Sequence, residues 1–421
     1  RMRDLRRRPL PLACSLLALL LASTVAHATT PVASVRITFD REYVTDVRTA
    51  GHADLQTGRT VTADDPVRIA SISKLVVALG VMRLVEAGAL DLDADVSALL
   101  GWKLRHPDHP EVPITLRLLL SHRAGLTDDA GYWQVPLDGA LADLLADPRA
   151  WDSAHAPGRY FRYANLNFPV VASAMERATG ERFDRLMQRL LFEPLGLSAC
   201  FGWSTCDDAQ RSRAVILYDT GRESGTDDTR SARPACPVRA ASDGSCDLAQ
   251  WQPGRNGALF SPQGGLRISA RDLATIGRLL LGEGEVDGMR LLSPASVATL
   301  LAPAWVRTGD NGVTAEEDAS GQSREGFFCR YGLAAQTLST PVEGCRDDPF
   351  GDGRERVGHA GSAYGLLSGL WVDRPAGSGV VYFATGMQDA PPGTRSAFTA
   401  IEEQLAAGDL PAATATATAD P

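Results

Sequence analysis

Two lysines stand against forty arginines in this chain, and one of the two, Lys74, follows a serine at a spacing of three in Ser71-Ile72-Ser73-Lys74. Arginine serves as well as lysine for salt bridges and solubility, so a retained lysine points to something only an ammonium does. It can lose its proton near neutral pH, because burial pulls a lysine pKa down by units while arginine stays charged. A serine hydroxyl one helical turn from such an amine is a nucleophile beside its base. Tyr163 and Asn165 lie two residues apart, so in an extended segment their side chains point the same way. The phenol can relay a proton and the carboxamide can hold an amide or ester carbonyl. In His359-Ala360-Gly361-Ser362, the glycine lets a ligand come close to the backbone. The N–H groups of Ser71 and Ser362 form a candidate oxyanion hole, two donors aimed at the oxygen that turns negative in a tetrahedral intermediate.

These groups need rigid elements to hold them. Leu75, Val76, Leu79, Val81, Met82, Leu84 and Val85 give a broad apolar face over residues 71–87, ended by Gly88, which predicts a buried helix. Ser71 then sits at its positive end, with Lys74 on the same face one turn on. Further helices are predicted over 116–122 with Thr115 as N-cap, from 168 through 178 with Gly180 as the stop, over 181–191, from Ser269 through 281, from Ser293-Pro294, and over 398–407. Short strands are predicted within 34–70, then at 356–359, 364–372 and 380–385. Strands at both ends with helices between imply an α/β (α+β) fold: one mixed sheet from residues 34–70 and 260–405, with a helical lobe from 85–255 inserted and the site between the lobes.

The first 28 residues hold five arginines and Asp4, then a leucine- and alanine-rich run and Ala26-His27-Ala28, and read as a secretory signal peptide. Its removal takes the net charge from −9 to −13, which argues against nucleic acid and anionic membrane as partners and leaves a small-molecule or peptide substrate. Six cysteines remain, an even number that suits disulfides in a periplasmic or secreted protein. Of the fifteen possible connectivities, Cys200 with Cys206, Cys236 with Cys246 and Cys329 with Cys345 has the shortest loops. Residues 207–256, rich in Asp, Ser, Arg, Gly and Pro, read as a long tied-down excursion, and the Ala/Thr-alternating stretch from 411, within a tail of 406–421, as disordered. No metal or organic cofactor is expected: prolines around His106 and His109 oppose the helix that a ligand pair would want. No Gly-x-Ser-x-Gly elbow occurs either.

Taken in order, residues 68–74, 119–126 (Leu-Leu-Ser-His-Arg-Ala-Gly-Leu), 161–165, 193–197 (Glu-Pro-Leu-Gly-Leu), 261–266 and 359–361 make the chain resemble the serine hydrolases of the class C β-lactamase and D-alanyl-D-alanine carboxypeptidase family, from about residue 35 to about 405. The resemblance implies a β-lactamase/transpeptidase-like fold, an antiparallel sheet flanked by helices beside a helical lobe. It implies Ser71 as the acylated nucleophile, Lys74 as the base, and Tyr163 as proton donor to the leaving group. Asn165 would hold the substrate carbonyl, and His359 would shape the far wall and contact Tyr163 or the substrate. It departs at His359-Ala360-Gly361, where many β-lactamases of the family have Lys-Thr-Gly. The expected activity is hydrolysis of D-amino-acid peptides or small esters, with a class C-like β-lactamase or a penicillin- or muropeptide-binding sensor as alternatives.

Overall fold

The computed structural model describes residues 30–218, 225, 227, 232–317 and 323–411. The leader read at residues 1–28 and the tail from residue 412 on lie outside the described residues. Apolar alternation in Ala33–Asp40 and continuous apolar runs in Leu366–Asp373 and Ser378–Ala384 build the middle of a nine-stranded sheet. From one edge its strands are Arg59–Thr60, Val44–Asp54, Ala33–Asp40, Ser378–Ala384, Leu366–Asp373, Arg356–Ala363, Gln336–Leu338, Arg330–Tyr331 and Trp305–Val306. The chain's two ends meet inside it, with Ser34 opposite Ala384 and Asp40 opposite Ser378.

All the pairings are antiparallel, which corrects the mixed sheet expected from the pattern alone. Hairpins supply the neighbours within 33–54 and within 356–384, and the two groups join antiparallel where Ala33–Asp40 lies against Ser378–Ala384. The strand predicted at 364–372 begins two residues later, because Tyr364 adopts φ +54° and Gly365 φ +76° in the hairpin turn. The strand before it is longer than expected and runs to Ala363, carrying the whole His359–Ser362 motif.

The period of two sorts side chains to two cores. Val35, Ile37, Phe39, Leu370, Val372, Val381 and Phe383 face the main core, against the helix Ala270–Leu281. Trp371, Val380 and Tyr382 face the other way, toward Phe398, Ile401 and Leu405 at the closing helix Ala400–Ala407. That helix is capped by Thr399 and ended by Gly408 at φ +108°, so the ordered chain continues past residue 405. The Phe39 ring fills a slot between two glycines: a Cβ at Gly277 would lie 2.2 Å from its Cζ, and one at Gly379 2.3 Å.

The helix Ile72–Glu86 runs through the helical part and is buried nearly all round, which explains its lack of a polar face. Thr115 caps Leu116–Leu120 through the Leu118 N–H at 3.2 Å, and Gly180 ends Asn167–Thr179. The helix expected over 181–191 is α-helical only over Phe183–Met187 and then widens into a π-turn at Gln188–Phe192. Pro194, next in line, has no N–H to continue the ladder. The disulfides are Cys200–Cys206, Cys236–Cys246 and Cys329–Cys345, the shortest-loop pairing. The excursion is fastened further by Glu176, whose carboxylate accepts from the Phe183 and Gly254 N–H groups and from Trp251 Nε1, each at 3.0 Å. No helix among the described residues is long and apolar enough to cross a membrane.

Truncating Phe39 to alanine leaves a cavity that the glycine-lined backbones cannot close. Phe39→Ala is expected to lower unfolding free energy by about 3–5 kcal/mol in a denaturant titration. A loss below about 1 kcal/mol would contradict this packing.

Candidate active site

The segment before Ser71 pairs with Leu266–Ile268 and then turns sharply at Ala70, an alanine at φ +56°. That conformation costs about 1–2 kcal/mol outside glycine. It is held by the Ile69 N–H donating to Leu266 O at 2.9 Å and by Ser73, whose N–H and hydroxyl both donate to Ala70 O, at 3.0 and 2.6 Å. The turn leaves Ser71 half-buried at the helix start, facing the cleft.

Lys74 is wholly buried. Its Nζ lies 2.9 Å from Ser71 Oγ, 2.8 Å from Asn165 Oδ1 and 2.7 Å from the carbonyl oxygen of Gln263. A neutral amine has two hydrogens and a lone pair. With the hydrogens donated to Asn165 and Gln263, which can only accept there, the lone pair is left for the Ser71 hydroxyl. Burial pulls the Lys74 pKa down to about 7, against the more distant attraction of Asp128 and Glu316.

Tyr163 lies beside this pair. Lys74 Nζ stands 4.9 Å from the centre of its ring, which stacks on Phe328 at 4.7 Å and meets His122 at a tilt, centres 4.3 Å apart. Burial pushes the phenol pKa well above its usual value, only partly offset by a hydrogen bond with Ser71, so the group stays protonated. Asn165 is held from behind: Asp128 accepts its N–H at 2.9 Å, its Nδ2 at 3.1 Å and the Leu166 N–H at 2.9 Å. One hydrogen of the Asn165 amide remains for a ligand. Burial raises the Asp128 pKa, opposed by those three donors.

Gly361 brings the sheet against Ser71. A Cβ there would lie 2.3 Å from Ser368 Oγ, 2.6 Å from Ile69 O and 3.2 Å from Ser71 N, so only glycine permits this approach. Ser368 Oγ donates to Ile69 O at 3.0 Å and fixes the contact. Ser362 follows on the same strand and, with Ser71, lines the cleft.

Of the two contacts expected of His359, with Tyr163 or with the substrate, the first is present as a ring contact; the side chain itself lies one layer behind, 1% exposed and, like Gly361, outside the cleft lining. One ring nitrogen pairs with Tyr331 Oη at 2.7 Å and the other with Ala360 O. Both nitrogens are thus engaged within the protein, and burial together with Lys74 pulls the pKa down to about 3. It supports Tyr163, whose ring centre is 6.1 Å away, and offers nothing to a substrate.

Three contributors escaped the sequence reading. Asp128 binds backbone 37 residues downstream, a partner no local pattern reveals. His122 accepts the Ala164 N–H at 3.1 Å from a left-handed backbone, φ +54°, and its Ser121-His122-Arg123 context was the available signal. Gln263 acts through its carbonyl, which residue type does not encode. The cleft encloses about 550 Å³. Among the described residues no three His, Cys, Asp or Glu side chains gather as a metal site, and both His106 nitrogens are engaged, with Asp152 O and the Asp108 N–H.

The Beta-lactamase family profile matches residues 19–404. Esterase EstB of Burkholderia gladioli is 34% identical over 193 residues, 42% of this chain and 47% of that one. Penicillin-binding protein 4 of Amycolatopsis lactamdurans is 30% identical over 246 residues, 58% of each. The chain thus spans about half the length of these curated relatives. D-amino acid amidase from Ochrobactrum anthropi SV3 shares the fold, with TM-score 0.58 at 19% identity over 90% of this chain and 92% of that one. Because the family profile runs across nearly all of the described residues, the protein is a member of the Beta-lactamase family.

Proposed function

We propose that the protein is an exported serine hydrolase that cleaves ester or amide bonds through an acyl-Ser71 intermediate, acting on D-amino-acid peptides or small esters. The observation that carries this reading is the burial of Lys74 Nζ between Ser71 Oγ, Asn165 Oδ1 and Gln263 O. The neutral amine takes the hydroxyl proton as Oγ bonds to the substrate carbonyl carbon. The oxygen turned negative is received by the Ser71 and Ser362 N–H groups. Tyr163, protonated at all working pH values, gives its proton to the departing alcohol or amine and regains one from Lys74. Water then attacks the acyl carbon, transfers its proton back through the same pair, and releases the acid and free Ser71.

Turnover of β-lactams is disfavoured because His359-Ala360-Gly361 stands in place of Lys-Thr-Gly and its histidine is buried and neutral, so this motif offers a substrate carboxylate no cation. Export is supported by the leader-like first 28 residues together with three disulfides.

Intact mass after incubation with a fluorophosphonate is expected to show one adduct on the wild type and none on Ser71→Ala. Lys74→Arg keeps the charge but has no base, so acylation is expected to fall by at least about 10³-fold; near-normal labelling would sink the Ser/Lys assignment.

The base is the deprotonated amine, so activity is lost as pH falls below the Lys74 pKa. Acylation measured by stopped flow should rise tenfold per pH unit below about 7 and level off above it. A flat profile from pH 5 to 9 would contradict it.

Tyr163→Phe should slow amide hydrolysis by about 10²–10⁴-fold. A p-nitrophenyl ester, whose leaving group needs no proton, should lose far less. Equal losses on both would deny Tyr163 the donor role.

A further inference from the structure

Beyond the cleft lies a second pocket of about 250 Å³ that shares Glu316, Ser362, Ala363 and Tyr364 with it. Leu366, Leu367, Met387 and Ala390 give it apolar walls, with the uncharged Gln388 and Thr399 between them and Arg324 in its wall. Its volume equals about eight waters in the liquid, enough for a short alkyl or aryl group. Tyr364, half exposed at φ +54°, marks the passage between the two spaces.

The fold gives this passage a direction. Gly312 bridges Phe161 in parallel, with the Phe161 N–H donating to Asn311 O at 3.1 Å and the Val313 N–H to Phe161 O at 2.9 Å, and Val313, Ala315 and Glu316 continue from there along the lining of the cleft that also holds Tyr163. Glu316 therefore lies further along the wall that holds Tyr163, and its charge acts on both the Tyr163 phenol and Lys74. Since the leaving group departs toward its proton donor, the arm it carries extends along this wall to the second pocket.

Charge narrows what that arm is. The Arg324 guanidinium is bracketed by the carboxylates of Glu316 and Glu402, the latter at 3.4 Å, and only 7% of its side chain is exposed. It is already engaged and cannot be spent on a substrate carboxylate, which would also meet Glu316 at the entrance. Arg68, over the Tyr364 ring at 4.9 Å, lies on the cleft side of the passage, so within the second pocket apolar walls, an occupied cation and the Glu316 carboxylate at the threshold select against an anionic arm.

We infer that the leaving group of the substrate carries an uncharged apolar arm that lodges in the second pocket, making the preferred substrate an ester or amide of an apolar alcohol or amine rather than a peptide ending in a free carboxylate. This rests on the acyl-Ser71 reading above and sharpens it.

The test uses three esters with one common acyl group, of ethanol, hexanol and 6-hydroxyhexanoate, with kcat/KM and the Ser71 adduct measured for each. The hexyl ester should exceed the ethyl ester by at least about tenfold. The carboxylate-ended chain of the same length should fall back to the ethyl value or below. Ala390→Phe, which narrows the pocket from its half-buried rim, should erase the hexyl-to-ethyl ratio. An adduct on Ser71 with equal kcat/KM for ethyl and hexyl, or a preference for the carboxylate, overturns the arm and leaves the serine chemistry standing. Hydrolysis of none of the three, with no adduct on Ser71, overturns both. The wild-type series decides the question even if Ala390→Phe does not fold.

Discussion

The site depends on one buried nitrogen. Lys74 Nζ has three oxygen neighbours and none is a carboxylate. Transfer of an ammonium out of water is costly, and a carboxylate in contact would compensate by holding the proton on. Here the compensation is withheld: Asn165 supplies a neutral oxygen, while the nearby acid, Asp128, is turned to backbone N–H groups and to the Asn165 amide nitrogen. The amine is thus satisfied in either protonation state, and dehydration decides between them. An aspartate at position 165 would fill a similar volume and lock the ammonium.

Much of the fold serves that dryness. The helix carrying Lys74 is buried on nearly every side, so its first turn lies in protein rather than at a surface. Opposite it the sheet closes down through Gly361, with its backbone packed on Ile69 and Ser71. The sheet is rigid there because Leu366–Asp373, the neighbouring strand, is buried along its whole length. The left-handed Ala70 is the local cost of bending a strand straight into a helix under that constraint, and the Ser73 and Leu266 hydrogen bonds hold it.

What the sequence disclosed follows the range of the forces involved. The Ser71–Lys74 spacing, the helix that carries it, the caps at Thr115, Ser269 and Ser293 and the short-loop disulfides are local, and each was legible. The antiparallel pairing of the two chain ends depends on contacts some 350 residues apart, and the pattern alone left it as a mixed sheet. Asp128 acts across 37 residues and Gln263 through backbone, so neither residue type nor period marks them. His359 was legible as part of a motif and as a neighbour of Tyr163, but its depth was not. In a strand buried on both faces, alternation does not say which side chains reach the cleft.

The depth of His359 has a consequence for the charge balance. Held neutral by burial and by Lys74, it leaves the layer behind Tyr163 without a second cation. A lysine in that layer would face the same desolvation and the repulsion of Lys74, and the two amines would depress one another. With histidine there, the proton equilibrium of Lys74 is set without reference to a charge on the sheet. No substrate carboxylate is then needed to neutralise the far wall before the base can work. Arg324, the cation in the wall of the pocket beyond Glu316, is occupied by glutamates. On the proposed reading, such a site takes its binding energy on that side from apolar contact, and its chemistry from a single dehydrated amine.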